Sequence, residues 1–503
     1  EMKLRRTGCL SGSQSRWTSW HGSCGNKEKE RNSMKMGVKK IVNFMLALVL
    51  LVSLAGCDTS GAKQSTKDNT SGVDTSSVVA SKGNLPIIGT GKIKYDPNTV
   101  LNNGEPMTLE WWMWDSPDQF QKYADAYHEL HPNIEIKVVN KAWEGFWTKS
   151  GTGPALWNQL FLYENDVINE MDPYRFSIED LSEDFMGINQ YVRDGKIYWF
   201  SYGYMCNGIF YNKDMWKEAG LTETDIPKTW DEFREVAKKL TKWEGNRMVR
   251  AGFDFYGGPS ATTHCDLIRT IAYQQGANAY DADNKPQYNS PEMKKALQML
   301  NDFINVDKIS SKDLSSKVEE SFGNGLSAMA FEFGYYMNTL KTNYPEINYG
   351  IFRVPSMTNE TPYAYGIYSV EGTPGINKNL NEAEKDVAHD FVNFYIASSE
   401  IQVQLCSHYG LFPSNKHIVD DPIIQSNPLV NALEPYINRY VFAGAEPQAS
   451  KDVLTQAYQE VVFNGKPVDT ALETANEDLM RALETYKFTS LEPLYEHASE
   501  AKR

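Results

Sequence analysis

The stretch over residues 211–242 constrains the fold of this chain more than any other, because strand, cap and turn signals follow one another without a gap. A short apolar strand ends at Tyr211, and the Asn212 side chain can cap a helix that starts after it. Gly220 stands where a short helix needs a residue of left-handed conformation in order to end. This order predicts a strand that leads directly into a short helix.

A second helix is predicted a few residues later. Pro227 disfavours helix before it, Thr229 is a natural N-cap, and Glu232 three residues on completes a capping box. The apolar residues that follow share one helical face: Phe233, Val236, Ala237 and Leu240. We therefore expect an amphipathic helix with this face buried.

Together these elements closely resemble the YNKD…aGl…P-x-TWdEf signature of family 1 extracellular solute-binding proteins, the ligand-capturing lipoproteins of bacterial ABC importers. Residues 320–337 (ESFGNGLSAMAFEFGYYM) match a second motif of that family, in which a strand ends in Gly followed by an aromatic platform. The resemblance implies an α/β fold with two lobes, as in type II periplasmic binding proteins, and a ligand cleft between lobes joined by a hinge of several crossings. It also implies a carbohydrate ligand and an ABC permease as partner.

The resemblance also divides the chain. We expect a first lobe from residues 107–207 and 367–412, a second lobe from residues 208–355 and 418–487, hinge crossings at residues 356–366 and 413–417, and a C-terminal tail over residues 488–503.

The composition excludes some classes of function. The 503 residues carry a formal net charge of −15, so nothing favours binding to nucleic acid. The six cysteines form no Cys-x-x-Cys pair, and the three beyond Cys57 are expected to be buried free thiols. The sequence gives no reason to expect a metal, a cofactor or a catalytic residue, and we expect a monomer.

The residues before Cys57 have the charge and hydropathy pattern of a targeting segment. A positive stretch that includes Lys39 and Lys40 precedes an apolar stretch over residues 41–53, which is too short for a comfortable membrane span. Residues 54–57 (Leu-Ala-Gly-Cys) then match the bacterial lipobox. We expect a signal peptide over residues 34–56 and a lipid on Cys57 that anchors the protein outside the cytoplasm; an uncleaved anchor helix is the alternative.

The segments on either side of this signal are of other kinds. Residues 1–33 carry no periodicity and are expected to be an upstream translation artefact. Residues 57–106 begin with a stretch rich in Ser, Thr and Gly, which predicts a flexible tether that holds the folded part off the membrane.

The first candidate ligand contacts lie at the end of a predicted strand. Residues 107–114 (MTLEWWMW) form this strand, a helix follows, and residues 134–139 form the next strand, which makes a βαβ unit with parallel strands. Ligands bind beyond the carboxyl ends of such strands, so Trp112, Trp114 and Asp115 are candidate site residues. In the family, the loop after the second strand adds an aromatic and a polar contact, which implies Trp143 and Glu144.

The remaining candidates come from the crossing and the second lobe. Tyr202 and Tyr204 lie where the family's chain crosses the hinge, and they are candidates for the cleft floor or, equally, core tyrosines. Tyr256 ends a strand beside two glycines that allow close backbone approach. By the second motif, Glu332 and either Tyr335 or Tyr336 are implied to be site residues.

The sequence departs from the family pattern at one turn. Ala155 occupies the position where an Asp that often binds sugar hydroxyls is expected. This absence and the wide aromatic set favour an oligosaccharide over a monosaccharide as the ligand, although a ligand of another class stays open.

Two other functions fit an anchored protein with many aromatic residues. A secreted, lipid-anchored enzyme that acts on glycans needs aromatics and paired carboxylates, but no catalytic signature is present, and we expect a binding protein. A protein that loads a ligand onto a sensory receptor has the same sequence features as an importer component.

Overall fold

The computed structural model of the chain describes residues 84–142, 146, 153–158, 167–256, 262–314, 317–444, 446–486 and 488–502. The expected signal peptide, Cys57, most of the tether, Trp143 and Glu144 lie outside the described residues. Residues 81–503 form one compact unit. Over the described ranges, no helix is both long enough and apolar enough to cross a membrane.

The strands form two main sheets and two small hairpins. Their bounds are β1 Met107–Met113, β2 Ile134–Asn140, β3 Leu156–Asn158, β4 Met171–Asp172, β5 Val192–Arg193, β6 Lys196–Ile197, β7 Ser201–Asn212, β8 Lys242–Glu244, β9 Arg247–Arg250, β10 Met329–Phe333, β11 Tyr349–Phe352, β12 Gly366–Gly372, β13 Pro374–Asn377, β14 Phe412–Pro413 and β15 Tyr440–Val441.

The helices cover both sheets. Their bounds are α1 Pro117–Leu130, α2 Ile178–Asp184, α3 Lys213–Glu218, α4 Trp230–Leu240, α5 Thr263–Gln274, α6 Pro291–Asn305, α7 Val318–Gly323, α8 Tyr336–Asn343, α9 Glu382–Ala397, α10 Ser399–Tyr409, α11 Pro422–Gln425, α12 Pro428–Leu433, α13 Gln448–Val462 and α14 Val468–Leu483.

The first sheet has five strands in the order β2-β1-β3-β13-β4. Strands β1 and β2 are parallel with α1 between them, which confirms the predicted βαβ unit. Trp111 and Trp112 point to opposite faces of β1, and both are buried, at 0% and 8% exposure. The sheet is therefore covered on both faces, as parallel sheets are.

The second sheet is built on β7. The order is β10-β7-β12-β15, and β11 and β14 also pair with β7. Every residue of β7 is buried. Residues 201–212 form one continuous strand, and its partners pair with it from Ser201 to Asn212.

The stretch over residues 211–242 folds as predicted. The Asn212 side chain accepts hydrogen bonds from the backbone N–H groups of Asp214 and Met215, and Gly220 has a φ of +74°. Thr229 and Glu232 form the reciprocal capping box, and the predicted apolar face of α4 is buried. The three cysteines in the described part of the chain, at 206, 265 and 406, are buried free thiols, which confirms that prediction.

The C-terminal segment is part of the folded body. Glu492 is fully buried, and its carboxylate accepts hydrogen bonds from the backbone N–H groups of Ala279 and Tyr280 and from the Tyr273 hydroxyl. Residues 488–502 are thus fastened to the end of α5 and the turn that follows it.

Candidate functional site

The candidate site is a cavity of about 310 Å³ at the end of strand β10. It is bounded by one side of α5, the middle of β12, and the segment that runs from β15 into α13. Its lining residues are Met205, Thr262, Thr263, Asp266, Arg269, Tyr273, Glu332, Phe333, Tyr335, Ile367, Tyr368, Ser369, Val441, Phe442, Ala443, Gly444, Glu446 and Lys451. We call this space the cleft cavity.

Strand β7 positions the walls of the cleft cavity. It pairs with β10 through residues 207–211 and with β12 through residues 201–206, both antiparallel. Glu332 of β10 lies opposite Gly208, and Tyr368 of β12 lies opposite Cys206. One long strand therefore fixes two walls that come from parts of the chain more than thirty residues apart.

Four charged side chains of the cleft cavity form one cluster, which consists of Asp266, Arg269, Glu446 and Lys451. Arg269 donates to the Asp266 carboxylate at 2.9 Å and forms an ion pair with Glu446. The Lys451 ammonium lies 3.5 Å from the other oxygen of Asp266. Except for Lys451, these side chains are less than a tenth exposed, and each cation already has a carboxylate partner.

The cluster is linked to the C-terminal segment by two tyrosines. The Tyr280 hydroxyl donates to Glu446 at 2.8 Å, while the Tyr273 hydroxyl donates to Glu492 at 2.5 Å. Tyr273 also lines the cleft cavity. Buried polar networks of this kind hold side chains in fixed positions when every member has a partner.

The other polar wall is formed by Glu332 and Tyr335. The Tyr335 hydroxyl lies 3.0 Å from Glu332 Oε2 and 3.1 Å from Glu319 Oε1. Glu332 is 1% exposed, and its Oε1 has no hydrogen-bond partner among the described residues. Burial raises the pKa of Glu332 well above its ordinary range, and the nearby negative charge of Glu319 adds to the rise.

The aromatic wall is formed by Tyr368 and Phe442. Their rings stack with centroids 5.5 Å apart and an interplanar angle of 28°. Tyr204 packs behind Tyr368, with ring centroids 4.5 Å apart, and is itself 6% exposed. The wall therefore offers a flat apolar surface that is held from behind by a buried ring.

The predicted site residues of the first lobe lie together but do not line the cleft cavity. Asp115 is exposed and accepts a hydrogen bond from the Tyr409 hydroxyl at 3.3 Å, and the Trp114 ring packs edge-on against Phe146 at 5.0 Å. Trp112 donates to Glu110 at 3.0 Å from a largely buried ring.

Near these residues, burial and the charge of Asp115 raise the pKa of Glu371, on β12, to about 8. Glu371 follows the cavity residue Ser369 by two positions, so both side chains lie on the same face of the strand.

Three other predicted site residues lie in the protein core. Tyr202 is 1% exposed and packs against Tyr395, and Tyr336 is fully buried against Phe210. Tyr256 is 3% exposed and stacks on Tyr458 at 5.2 Å. Of the predicted contacts, the structure places Glu332 and Tyr335 on the cleft cavity.

Sequence reasoning missed the charged cluster and the aromatic wall. Arg269 lies in the middle of α5, a helix that is buried on almost every side, and an Arg within such an apolar helix is the one signal that pointed to a polar cavity. Glu446 and Lys451 lie about 180 residues away, and no local pattern connects them to Arg269. Among the residues that the structure describes, no group of three or more His, Cys, Asp or Glu side chains is arranged to hold a metal ion.

Comparisons with known proteins agree on one family. A family profile described as "Bacterial extracellular solute-binding protein" matches residues 122–432. The sn-glycerol-3-phosphate-binding periplasmic protein UgpB of Brucella melitensis is 28% identical over 387 residues, which cover 71% of this chain and 82% of that protein.

Two further relatives have different names. An arabinooligosaccharide-binding protein of Halalkalibacterium halodurans is 22% identical over 331 residues, which cover 62% of this chain and 71% of that protein. A putative ABC transporter periplasmic-binding protein of Escherichia coli, YcjN, is 26% identical over 235 residues, and the match spans about half of each chain.

The fold is shared with solved structures. The sugar-binding protein MalE from Xanthomonas citri superposes with a TM-score of 0.62 at 19% identity, over 75% of this chain and 98% of that one. A likeness at this level of identity establishes the two-lobed fold that the sequence predicted.

Proposed function

Because the chain belongs to the bacterial extracellular solute-binding proteins, we propose that it captures an uncharged carbohydrate, an oligosaccharide in preference to a single sugar, for an ABC importer. In this proposal the protein is held outside the cytoplasm by a lipid on Cys57, binds its ligand between two lobes, and delivers it to the permease subunits. It carries out no chemical step on the ligand.

The observation that supports an uncharged ligand is the pairing of the cavity's cations. Of the described residues that line the cleft cavity, Arg269 and Lys451 are the cationic ones, and both contact carboxylates. A phosphate or carboxylate ligand needs a cation whose charge is not already balanced. Glu332 adds no positive charge to the cavity, so the described lining offers an anionic ligand no cation whose charge is unbalanced.

The same cavity suits a sugar. Sugar rings have apolar C–H faces and hydroxyl groups around their edges, and they bind best between a flat aromatic surface and a few polar side chains. The Tyr368–Phe442 wall supplies the flat surface. Glu332, Ser369 and Thr263 supply polar groups for hydroxyls.

The names of the relatives point to two ligand classes, a sugar phosphate for UgpB and an arabinooligosaccharide for the H. halodurans protein. The paired cations favour the second class for this chain. We further propose that Trp114 and Asp115 contact the ligand from the first lobe when the lobes close about the crossings at residues 356–366 and 413–417. Lobe closure by a ligand requires contacts that are better in the closed state than in the open state.

The test is isothermal titration calorimetry of the full chain with arabinotriose, maltotriose and sn-glycerol-3-phosphate, followed by mass analysis of the recovered ligand. We expect saturable binding of at least one intact saccharide and none of the phosphate. If sn-glycerol-3-phosphate binds more strongly than the saccharides, the proposal of an uncharged ligand is contradicted. If the recovered saccharide is cleaved, the protein is an enzyme.

A matched pair of variants connects binding to the cleft cavity. Phe442→Ala removes half of the aromatic wall and should weaken saccharide binding by about 1–3 kcal/mol. Trp243→Ala removes an aromatic side chain that is 46% exposed and outside the cavity, and it should leave binding unchanged.

A further inference from the structure

The Tyr335 hydroxyl requires a proton from one of its neighbours. Its oxygen lies within hydrogen-bond distance of two carboxyl groups, Glu332 at 3.0 Å and Glu319 at 3.1 Å. A phenol has one proton, so it can donate to one carboxyl group and must accept from the other. Two ionised carboxylates can only accept. Both contacts are therefore satisfied only when one of the two carboxyl groups carries a proton.

The burial of the two groups indicates which one carries it. Glu332 is 1% exposed, whereas Glu319 on α7 is partly exposed and can keep its charge in contact with water. Glu332 also faces negative charge from Glu319 and from Asp266 of α5, while Arg269 and Lys451 in the same cavity are paired with other carboxylates. On β7, Glu332 lies opposite Gly208, which brings no charge.

We propose that Glu332 binds the ligand as a neutral carboxyl group. Its protonated Oε2 donates to Tyr335, which in turn donates to Glu319, and the same oxygen accepts the Phe333 backbone N–H at 3.2 Å. Its Oε1 accepts a hydrogen bond from a ligand hydroxyl. Glu332 lines the cleft cavity, and Oε1 is the buried oxygen that no described residue satisfies. This inference rests on the proposed function, because it names the group that a saccharide hydroxyl would meet.

The arrangement couples ligand binding to a proton. When Glu332 loses its proton, the Tyr335 hydroxyl can donate to only one of the two carboxylates, and its other contact becomes a repulsion between oxygen atoms. Tyr335 is then held less firmly in the cavity wall. The affinity for a saccharide therefore falls as the pH rises through the pKa of Glu332, by up to about tenfold per pH unit.

Infrared difference spectroscopy of the full chain tests the proton without a ligand. Glu371, with a pKa of about 8, also contributes to the absorption of protonated carboxyl groups at neutral pH. We expect one component of this absorption to be lost in Glu332→Gln and the whole of it to be kept in Glu473→Gln, a matched change on the exposed face of α14. Loss of this component in Glu319→Gln in place of Glu332→Gln overturns the assignment. If Glu332→Gln does not fold, Tyr335→Phe decides, because the component must shift when its hydroxyl partner is removed; absorption without a shifted component overturns the inference.

Calorimetry with arabinotriose tests the coupling. The affinity of the unaltered chain should fall at least about tenfold as the pH is raised from neutral through the pKa of Glu332, whereas Glu332→Gln should stay constant, since its amide keeps both the donor and the acceptor. An equal fall in Glu332→Gln, or no fall in the unaltered chain up to the highest pH at which it stays folded, overturns the inference and leaves the proposed function intact. If no saccharide in the panel binds, the proposed function and the ligand-binding role of Glu332 both fall.

Discussion

The backbones of Gly334 and Gly410 touch, so that a Cβ atom on either residue would overlap the carbonyl oxygen of the other. Gly334 lies between β10 and the cavity residue Tyr335, and Gly410 follows Tyr409, whose hydroxyl binds Asp115 of the predicted first lobe. The contact thus places the backbone before Tyr335 against the backbone after Tyr409, and the Tyr409 hydroxyl continues the link to Asp115.

This contact predicts a steric cost for alanine. Gly334 does not have a positive φ, so Gly334→Ala tests crowding alone, and we expect it to reduce the free energy of unfolding by about 1–3 kcal/mol in urea denaturation. Gly410 has a φ of +64°, so Gly410→Ala adds backbone strain. Gly465→Ala is the control for strain, because Gly465 has a φ of +70° and open space around its Cβ. Equal costs for Gly410→Ala and Gly465→Ala would show that the contact yields without cost.

Removing the central cation of the charged cluster should destabilise the protein strongly. Arg269→Met leaves Asp266 and Glu446 as buried charges without their arginine, and we expect a loss of about 3–5 kcal/mol in the free energy of unfolding. Arg481→Met removes an arginine that is 64% exposed and paired with Asp478, and it should cost less than about 0.5 kcal/mol. Similar values for the two variants would contradict a buried cluster.

His264 should make the protein less stable in mild acid. Burial lowers the pKa of this side chain to about 4, and neither ring nitrogen has a hydrogen-bond partner among the described residues. Because the pKa is about 6.5 in the unfolded chain, the stabilisation is present above that pH and is lost as the pH falls toward 4, to a total of about 3 kcal/mol.

The measurement for His264 is urea unfolding at several pH values. His264→Leu should show a weaker loss of stability than the unaltered chain over the interval from pH 6.5 to 4. His128→Leu, at an exposed position on α1, should lose stability as the unaltered chain does. An unchanged pH dependence in His264→Leu would mean that this histidine is not buried in neutral form.

Glu371 should make the protein less stable in mild alkali, the opposite of the effect of His264. Burial, and then the charge of Asp115, raise its pKa to about 8, so its stabilisation is present below the ordinary pKa of 4.5 and is lost as the pH rises through 8. Between pH 5 and about pH 9, the melting temperature of Glu371→Gln should therefore fall less than that of the unaltered chain. Asp115→Asn removes the charge that repels ionised Glu371, so the midpoint of this loss should shift to lower pH. A shift to higher pH would show that Asp115 does not repel Glu371.

Glu492 should hold the C-terminal segment in place. Glu492→Ala leaves the backbone N–H groups of Ala279 and Tyr280 without their acceptor, and we expect a loss of about 3 kcal/mol in the free energy of unfolding. Hydrogen exchange should show faster exchange at these two amides. Glu496→Ala, an exposed position four residues on, is the control and should leave both amides protected.

Local signals in the sequence were sufficient to predict the helices and turns over residues 211–242. The Thr229–Glu232 capping box, the left-handed Gly220 and the apolar face of α4 depend on residues a few positions apart, and the structure confirms all three. The family motif over residues 320–337 also led to Glu332 and Tyr335, because a strand that ends in Gly and an aromatic has a recognisable order.

The rest of the cavity depends on tertiary contacts. Tyr202 and Tyr336 are tyrosines like Tyr335, but their rings are buried in the core, whereas Tyr335 lines the cavity. The sequence does not distinguish a ring that packs in the core from one that faces a cavity. The pairing of Arg269 with Glu446 joins residues 177 positions apart, since 446 − 269 = 177. Such pairs are set by how α5 packs against the segment that leads into α13, and no spacing rule along the chain predicts them.

Strand β7 has a consequence for the order of events during synthesis. It is made early, yet its partners are β10, β11, β12 and β14, and the last of these ends at Pro413, about 200 residues later. The hydrogen-bonding edges of this apolar twelve-residue strand therefore stay open until their partners are made, between residues 329 and 413. The nascent chain therefore needs protection from aggregation until β14 has emerged, and the sheet built on β7 is completed late in synthesis.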